Sequence, residues 1–159
     1  MPVPKATCEY LLTALSAQPA IASALLARAL DDASVWDKRP DPERFSLREV
    51  LAHLADWDSV WLDRVHRIVS EDHPFLPSVD EELMVTQNGY ATREGSDSLT
   101  RYTRGRQALV EFLRSLPEEA WNRTCSREFI GDLTLYQQAA MALSHDGYHM
   151  KQIVEWTRS

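Results

Sequence analysis

The chain has 159 residues, 44% hydrophobic, 26% charged and 9% aromatic, with only 5 glycines, enough for one domain with a single sizeable core. That balance excludes an intrinsically disordered, collagen-like or low-complexity polypeptide. A formal charge of −7, from 24 acidic against 17 basic residues, argues against general binding to nucleic acid or to an anionic lipid surface.

Apolar residues recur at intervals of three and four, so the chain reads as mostly helical. Residues 5–15 make a first short helix, and Pro19, which suits a first helical turn better than an interior, starts another over about 18–30. The uncharged run from Tyr10 to Ala27 is interrupted by Thr13, Ser16, Gln18, Pro19 and Ser23, which makes it too polar for a membrane span. The first residues carry no apolar export segment. Residues 31–45, with two prolines and many turn formers, are a connecting loop.

Ser46 reads as an N-cap with Glu49 completing a capping box. The helix behind it runs to about Ser70 and buries a stripe that includes Leu47, Val50, Leu51, Leu54, Trp57, Trp61, Val65 and Ile68. Residues 71–94 form a long connection with one helical turn near Asp80–Gln87, a length typical of a lid or the wall of a site. A third helix covers about Asp97–Leu116. Pro117 to Asp132 is loop, and the last long helix covers about 133–157 with Asp132 as its N-cap. Four long helices joined by loops predict an all-α, antiparallel four-helix bundle forming one domain over residues 1–159.

Five histidines stand at 53, 66, 73, 145 and 149. His145 and His149 are four apart on the last helix, so their rings share a face and could share a metal ion. His53 lies near the margin of its helix's apolar stripe and is the best third ligand. Three imidazoles suit Zn, Ni, Fe or Cu, and not Ca or Mg, and leave a position open for water or substrate. His66 reads as solvent-facing and His73 as a loop residue that could line the cleft. Asp58 and Asp146 fall inside apolar stripes, where each needs a partner, and Arg106 is the cation placed to supply it. Trp57 and Trp61 read as core. Cys8 and Cys125 form no disulfide framework or CxxC knuckle and read as reduced thiols of a cytoplasmic protein.

The segments RPDPERFSLREVLAHLADWD at 39–58 and LTLYQQAAMALSHDGYHMKQI at 133–153 resemble the DinB-like (YfiT-like, DUF664-type) superfamily of helical bundles. RGRQALVEFLRSLPEEAW at 104–121 and the FIGDLTL approach to the last helix extend the likeness over nearly the whole chain. The resemblance implies an up-down-down-up bundle with a long crossover connection, and a divalent transition metal (Zn, Ni or Fe) held by His53, His145 and His149. Relatives include metal-dependent thiol transferases and a mycothiol-dependent isomerase. It therefore implies an enzyme joining a low-molecular-weight thiol to electrophilic small molecules in detoxification or stress response, and a homodimer. Two further readings use the same residues: a metal-dependent hydrolase with Asp56 or Asp146 as base, and a non-catalytic metal-binding dimer.

Overall fold

The computed structural model describes residues 2–158, of which 28–30 are described for the backbone alone. Four long helices dominate it: α1 (Lys5–Asp31), α2 (Leu47–Ser70), α4 (Gly95–Ser115) and α5 (Leu135–Arg158), with a short α3 (Glu81–Gln87) inside the long connection. α2 starts as its sequence predicts. The Ser46 hydroxyl accepts the Glu49 N–H, and the Glu49 carboxylate takes the Ser46 N–H.

Contacts along the helices fix their directions. Arg48 near the start of α2 donates to the Arg93 carbonyl just before α4, and Asp58 meets Arg106 further along both, so these two helices run parallel. His53 meets His145, while Gln152 and Trp156 reach the Phe45 carbonyl before α2, so α5 runs the other way. α1 packs its early part against the first half of α5 and its late part against the second half. The bundle is therefore up-down-down-up, and residues 71–94 must carry the chain back from the end of α2 to the start of α4.

Two departures from the sequence expectation have plain causes. α1 is one continuous helix with Pro19 inside it. A proline there removes the donor for the Leu15 carbonyl, and Arg106 Nη1 donates to that oxygen instead, at 3.3 Å. The stretch 117–134 is also more than loop. A helical turn (Glu118–Asn122) leads into β2 (Thr124–Arg127) and β3 (Gly131–Thr134), which pair antiparallel, while β1 (Phe75–Leu76) joins β2 in parallel. Strands this short carry no readable period-two pattern. Asp132 consequently sits in β3, and Thr134 caps α5: its hydroxyl accepts the Gln137 N–H, and the Gln137 side chain accepts the Thr134 N–H.

The core falls into two apolar clusters. One gathers Leu12, Leu15, Trp57, Trp61, Leu109, Leu113 and Ala142, the other Ala22, Leu26, Leu51, Leu54, Tyr102, Met150 and Ile153. Every long helix passes from one cluster to the other through a polar position: Asp58 on α2, Arg106 on α4, Asp146 on α5 and the Leu15 carbonyl on α1. Arg106 Nη2 lies 2.7 Å from Asp58 Oδ1 and 3.1 Å from Asp146 Oδ1, and Nη1 bonds Asp146 Oδ2. α4 approaches α2 closely here because residue 105 is glycine, where a Cβ would fall 2.9 Å from the Asp58 Cβ. By length and mean hydropathy (1.4), Lys5–Ala27 of α1 meets the standard of a membrane span, against the polarity read from its sequence. In this fold its Leu11, Leu12, Leu15, Ala22 and Leu26 are buried against the other helices.

Candidate metal centre

α2 and α5 bring His53, His145 and His149 to one point beside the polar layer. Their candidate ligand atoms all lie within 4.8 Å of one another. His53 Nε2 is 2.9 Å from His145 Nε2, and the three ring centroids are 4.7 to 5.0 Å apart. His53 and His149 are buried, whereas the His145 side chain keeps 19% of its exposure. His53 is thus deeper than the stripe margin its sequence position suggested. Phe45, Trp57 and Tyr90 pack around its ring, with centroids 5.1, 5.8 and 6.2 Å away.

Burial, and then the charges of its two neighbours, push His53 down to about 2, and burial followed by His145 pushes His149 down to about 4. Both rings are therefore neutral at physiological pH, with lone pairs free to ligate. The Gln152 amide donates to the Phe45 carbonyl at 3.2 Å, which turns its oxygen toward His149 Nδ1, also 3.2 Å away. Nδ1 then carries the proton and Nε2 is left as the donor atom, an outer hydrogen bond of the kind that orients metal-binding histidines. Asp146 Oδ1 stands 3.8 Å from His145 Nδ1 and favours the same tautomer there. Three imidazoles, two of them held neutral and one with its Nδ1 fixed by Gln152, are a donor set for a borderline transition ion. Among the described residues no fourth Cys, His, Asp or Glu joins the cluster.

Above the rings is a pocket of about 320 Å³, walled by Glu43, Arg44, Phe45, Glu81 and Tyr148. Arg44 is held over Trp156 (4.5 Å) and Tyr148 (5.7 Å), and its Nη1 bonds Glu155 at 2.9 Å. None of these wall residues stood out in the sequence; Glu43, Arg44 and Phe45 lie in the loop before α2, which has no periodicity to read. Gln152 alone had a signal, its place one turn beyond His149.

The other candidates fall elsewhere. Arg106 holds Asp146 from within the bundle. Burial raises the carboxyl, but the nearby His145 ring and the bonds from Arg106 outweigh it and hold Asp146 below its ordinary value. Asp58 keeps one oxygen unpartnered, and burial pushes it up to about 7 despite Arg106. Asp56 receives Asn88, Arg93 and Arg101 at 2.7, 2.7 and 3.2 Å, which ties the crossing connection to α2 and α4. Neither Asp56 nor Asp146 lines the pocket. His73 also lies away from it, bonded to Thr124 and 3.4 Å from Asp132, and exposed His66 stacks on Phe112. Trp57 and Trp61 are core residues that also wall His145, with centroids 5.1 and 5.8 Å from its ring.

Comparison with known proteins agrees with this architecture. A model of the DinB superfamily matches residues 14–153. Among solved structures the chain is similar to YfiT from Bacillus subtilis, described as a probable metal-dependent hydrolase with an unusual four-helix bundle topology. The TM-score is 0.88 at 20% identity, covering 98% of this chain and 89% of that one. No curated protein matches.

Proposed function

The chain belongs to the DinB superfamily, and from that premise we propose that it is a metal-dependent enzyme that joins a low-molecular-weight thiol to an electrophilic small molecule. The observation that carries this reading is the convergence of three imidazoles, two of them buried and held neutral, with no fourth protein ligand among the described residues, at the floor of a pocket sized for a small molecule. His53, His145 and His149 would hold the ion, with Zn, Ni and Fe the candidates. A divalent ion held there would lower the pKa of a bound thiol or water.

The chain's own groups supply the rest. Phe45 and Tyr148 give one side of the pocket an aromatic lining, and Arg44, fixed by Glu155 and two aromatic faces, presents a positioned cation at its wall. In the reaction the thiol proton passes to solvent, the sulfur attacks the electrophilic carbon, and a C–S bond forms. The leaving group departs with its electron pair, or an addition product takes up a proton. A thiol needs no strong base for this once its pKa is lowered, which suits a pocket that neither Asp56 nor Asp146 enters.

A hydrolase is the second reading, favoured by the description of YfiT. In that case the carboxylates at the pocket wall, Glu43 and Glu81, are the candidate bases. The two readings separate in one assay. Metal-loaded protein is given an electrophile with and without glutathione, coenzyme A, bacillithiol or mycothiol, and chelator-treated protein serves as control. Metal-dependent loss of free thiol supports the transferase. Metal-dependent turnover of esters or amides without thiol replaces it with the hydrolase, and no turnover of either kind rejects both.

A further inference from the structure

Three arginines are buried in the described bundle, Arg64, Arg106 and Arg127, and only Arg106 has carboxylates bonded to it. Arg64, near the end of α2, donates its Nη2 to the Pro77 carbonyl at 3.1 Å and lies over Trp57 and Trp61 at 5.3 and 5.5 Å. Arg127, on β2, donates Nη1 to Gln138 Oε1 at 3.0 Å. The sheet brings the two together: Arg127 pairs with Leu76, the residue before the proline that Arg64 bonds.

What remains unsatisfied around them is all of one kind. Arg64 Nη1, Arg127 Nε, Gln138 Nε2 and the indole N–H groups of Trp57 and Trp61 are buried without a partner, and every one is a donor. Burial and then the Arg127 charge push Arg64 down to about 10, and burial likewise lowers Arg127. Among the described residues no carboxylate forms an ion pair with either arginine; the exposed neighbour Asp63 acts on Arg64 without bonding it. Cys125, which both arginines face, does not serve as their counter-ion, because burial raises its thiol above the ordinary value. Two like charges buried this way are costly unless something neutralises them.

We propose that Arg64, Arg127 and Gln138 form a binding site for a small oxyanion, the carboxylate or phosphate group of a small molecule. Of the three, Arg64 also lines a pocket of about 340 Å³, with Ser59, Asp63, Arg67 and Ser78, and the anion enters from that side. Guanidinium groups match such oxyanions through paired N–H donors. The site is separate from the histidines, since Arg64 lies about 16 Å along α2 from His53 at helical rise.

The test uses chelator-treated protein, so that no ion at the histidines can bind the probe. Melting temperature is measured in inorganic phosphate, acetate and chloride at equal ionic strength, for wild type, Arg64→Met and Arg127→Met. Phosphate, acetate or both should raise the wild-type value over chloride by about 3 °C at tenfold ligand over Kd. The arm that responds identifies the oxyanion. Both variants should lose the response and melt in chloride no lower than wild type, because one of two repelling charges is gone. Absence of a selective response in wild type overturns the proposal, as does a response that survives in either variant. Should a variant fail to fold, broadening of the phosphate ³¹P signal by wild type, and its reversal by acetate, decides in the same way.

Discussion

Arg106 on α4 donates to the Leu15 carbonyl on α1, the oxygen that Pro19 leaves without its helical partner. The same guanidinium joins Asp58 and Asp146, so one side chain ties all four long helices at the level where the two apolar clusters meet. A proline inside a helix and a buried arginine, each costly alone, here satisfy one another.

Removing that guanidinium should be far worse than removing one of its carboxylates. Arg106→Met leaves two buried carboxylates without a cation and the Leu15 oxygen without a donor, a loss of about 3–5 kcal/mol. Asp58→Asn should be the mildest change in the trio, since Asp58 already sits high, near 7, with one oxygen unpartnered. Urea denaturation of the three variants, with Asp146→Asn as the third, would rank them. Equal losses for Asp58→Asn and Arg106→Met would contradict the division of charge described above.

Much of this was legible beforehand because it depends on single-residue chemistry at helical spacing. Ser46 and Glu49 announce the start of α2, an aspartate in an apolar stripe demands a cation, and His145 with His149 announces a shared face. The resemblance supplied the helix order, which no periodicity could, and reinforced His53 as the third ligand that its place at the margin of the α2 stripe had already suggested. Other features were hidden because they rest on partners far away in the chain. Pro19 reads as a break until Arg106 takes the Leu15 oxygen. The strands are too short to show alternation, and the wall residues Arg44, Phe45 and Tyr148 gain their role only when the loop before α2 folds over α5.

Gly105 is required by proximity, not by backbone conformation. A methyl group there would stand 2.9 Å from the Asp58 Cβ, so Gly105→Ala must move α4 off α2. The expected loss is about 1–3 kcal/mol, although alanine is the better helix former. Gly147→Ala, on α5 with nothing near its would-be Cβ, is the control and should stabilise by about 0.5–1 kcal/mol. Thermal melts of the pair check both signs.

Metal content should track the triad and not the remaining histidines. Protein purified without chelator should carry Zn, Ni or Fe at close to one ion per chain, measured by elemental analysis. His149→Ala and His53→Ala should lose it, while His66→Ala and His73→Ala should keep it, since both lie away from the pocket. Gln152→Leu should weaken binding by about 10–100-fold through the freed His149 ring. Full metal content in His149→Ala would remove the site from the histidines altogether.

The low pKa values of the buried histidines set a pH dependence of stability in the metal-free protein. His53 is held near 2 and His149 near 4, against 6.5 for an unperturbed ring. As pH falls below 6.5 the unfolded chain takes up protons on these rings while the folded rings stay neutral. Their contribution is therefore fully present above 6.5 and is lost on acidification, at about 1.4 kcal/mol per pH unit for each ring. Below about 4 His149 charges in the folded state as well, and its share of the slope ends. Asp58, pushed up to about 7, works in the opposite direction over part of this window, so the informative quantity is a difference between proteins. Urea melts in chelator from about pH 7.5 to 4.5 should show a shallower acid slope for His53→Gln than for wild type, by one ring's share. Identical slopes would mean that His53 is already protonated, or solvated, in the folded protein, and its neutral lone pair could no longer be counted in the donor set.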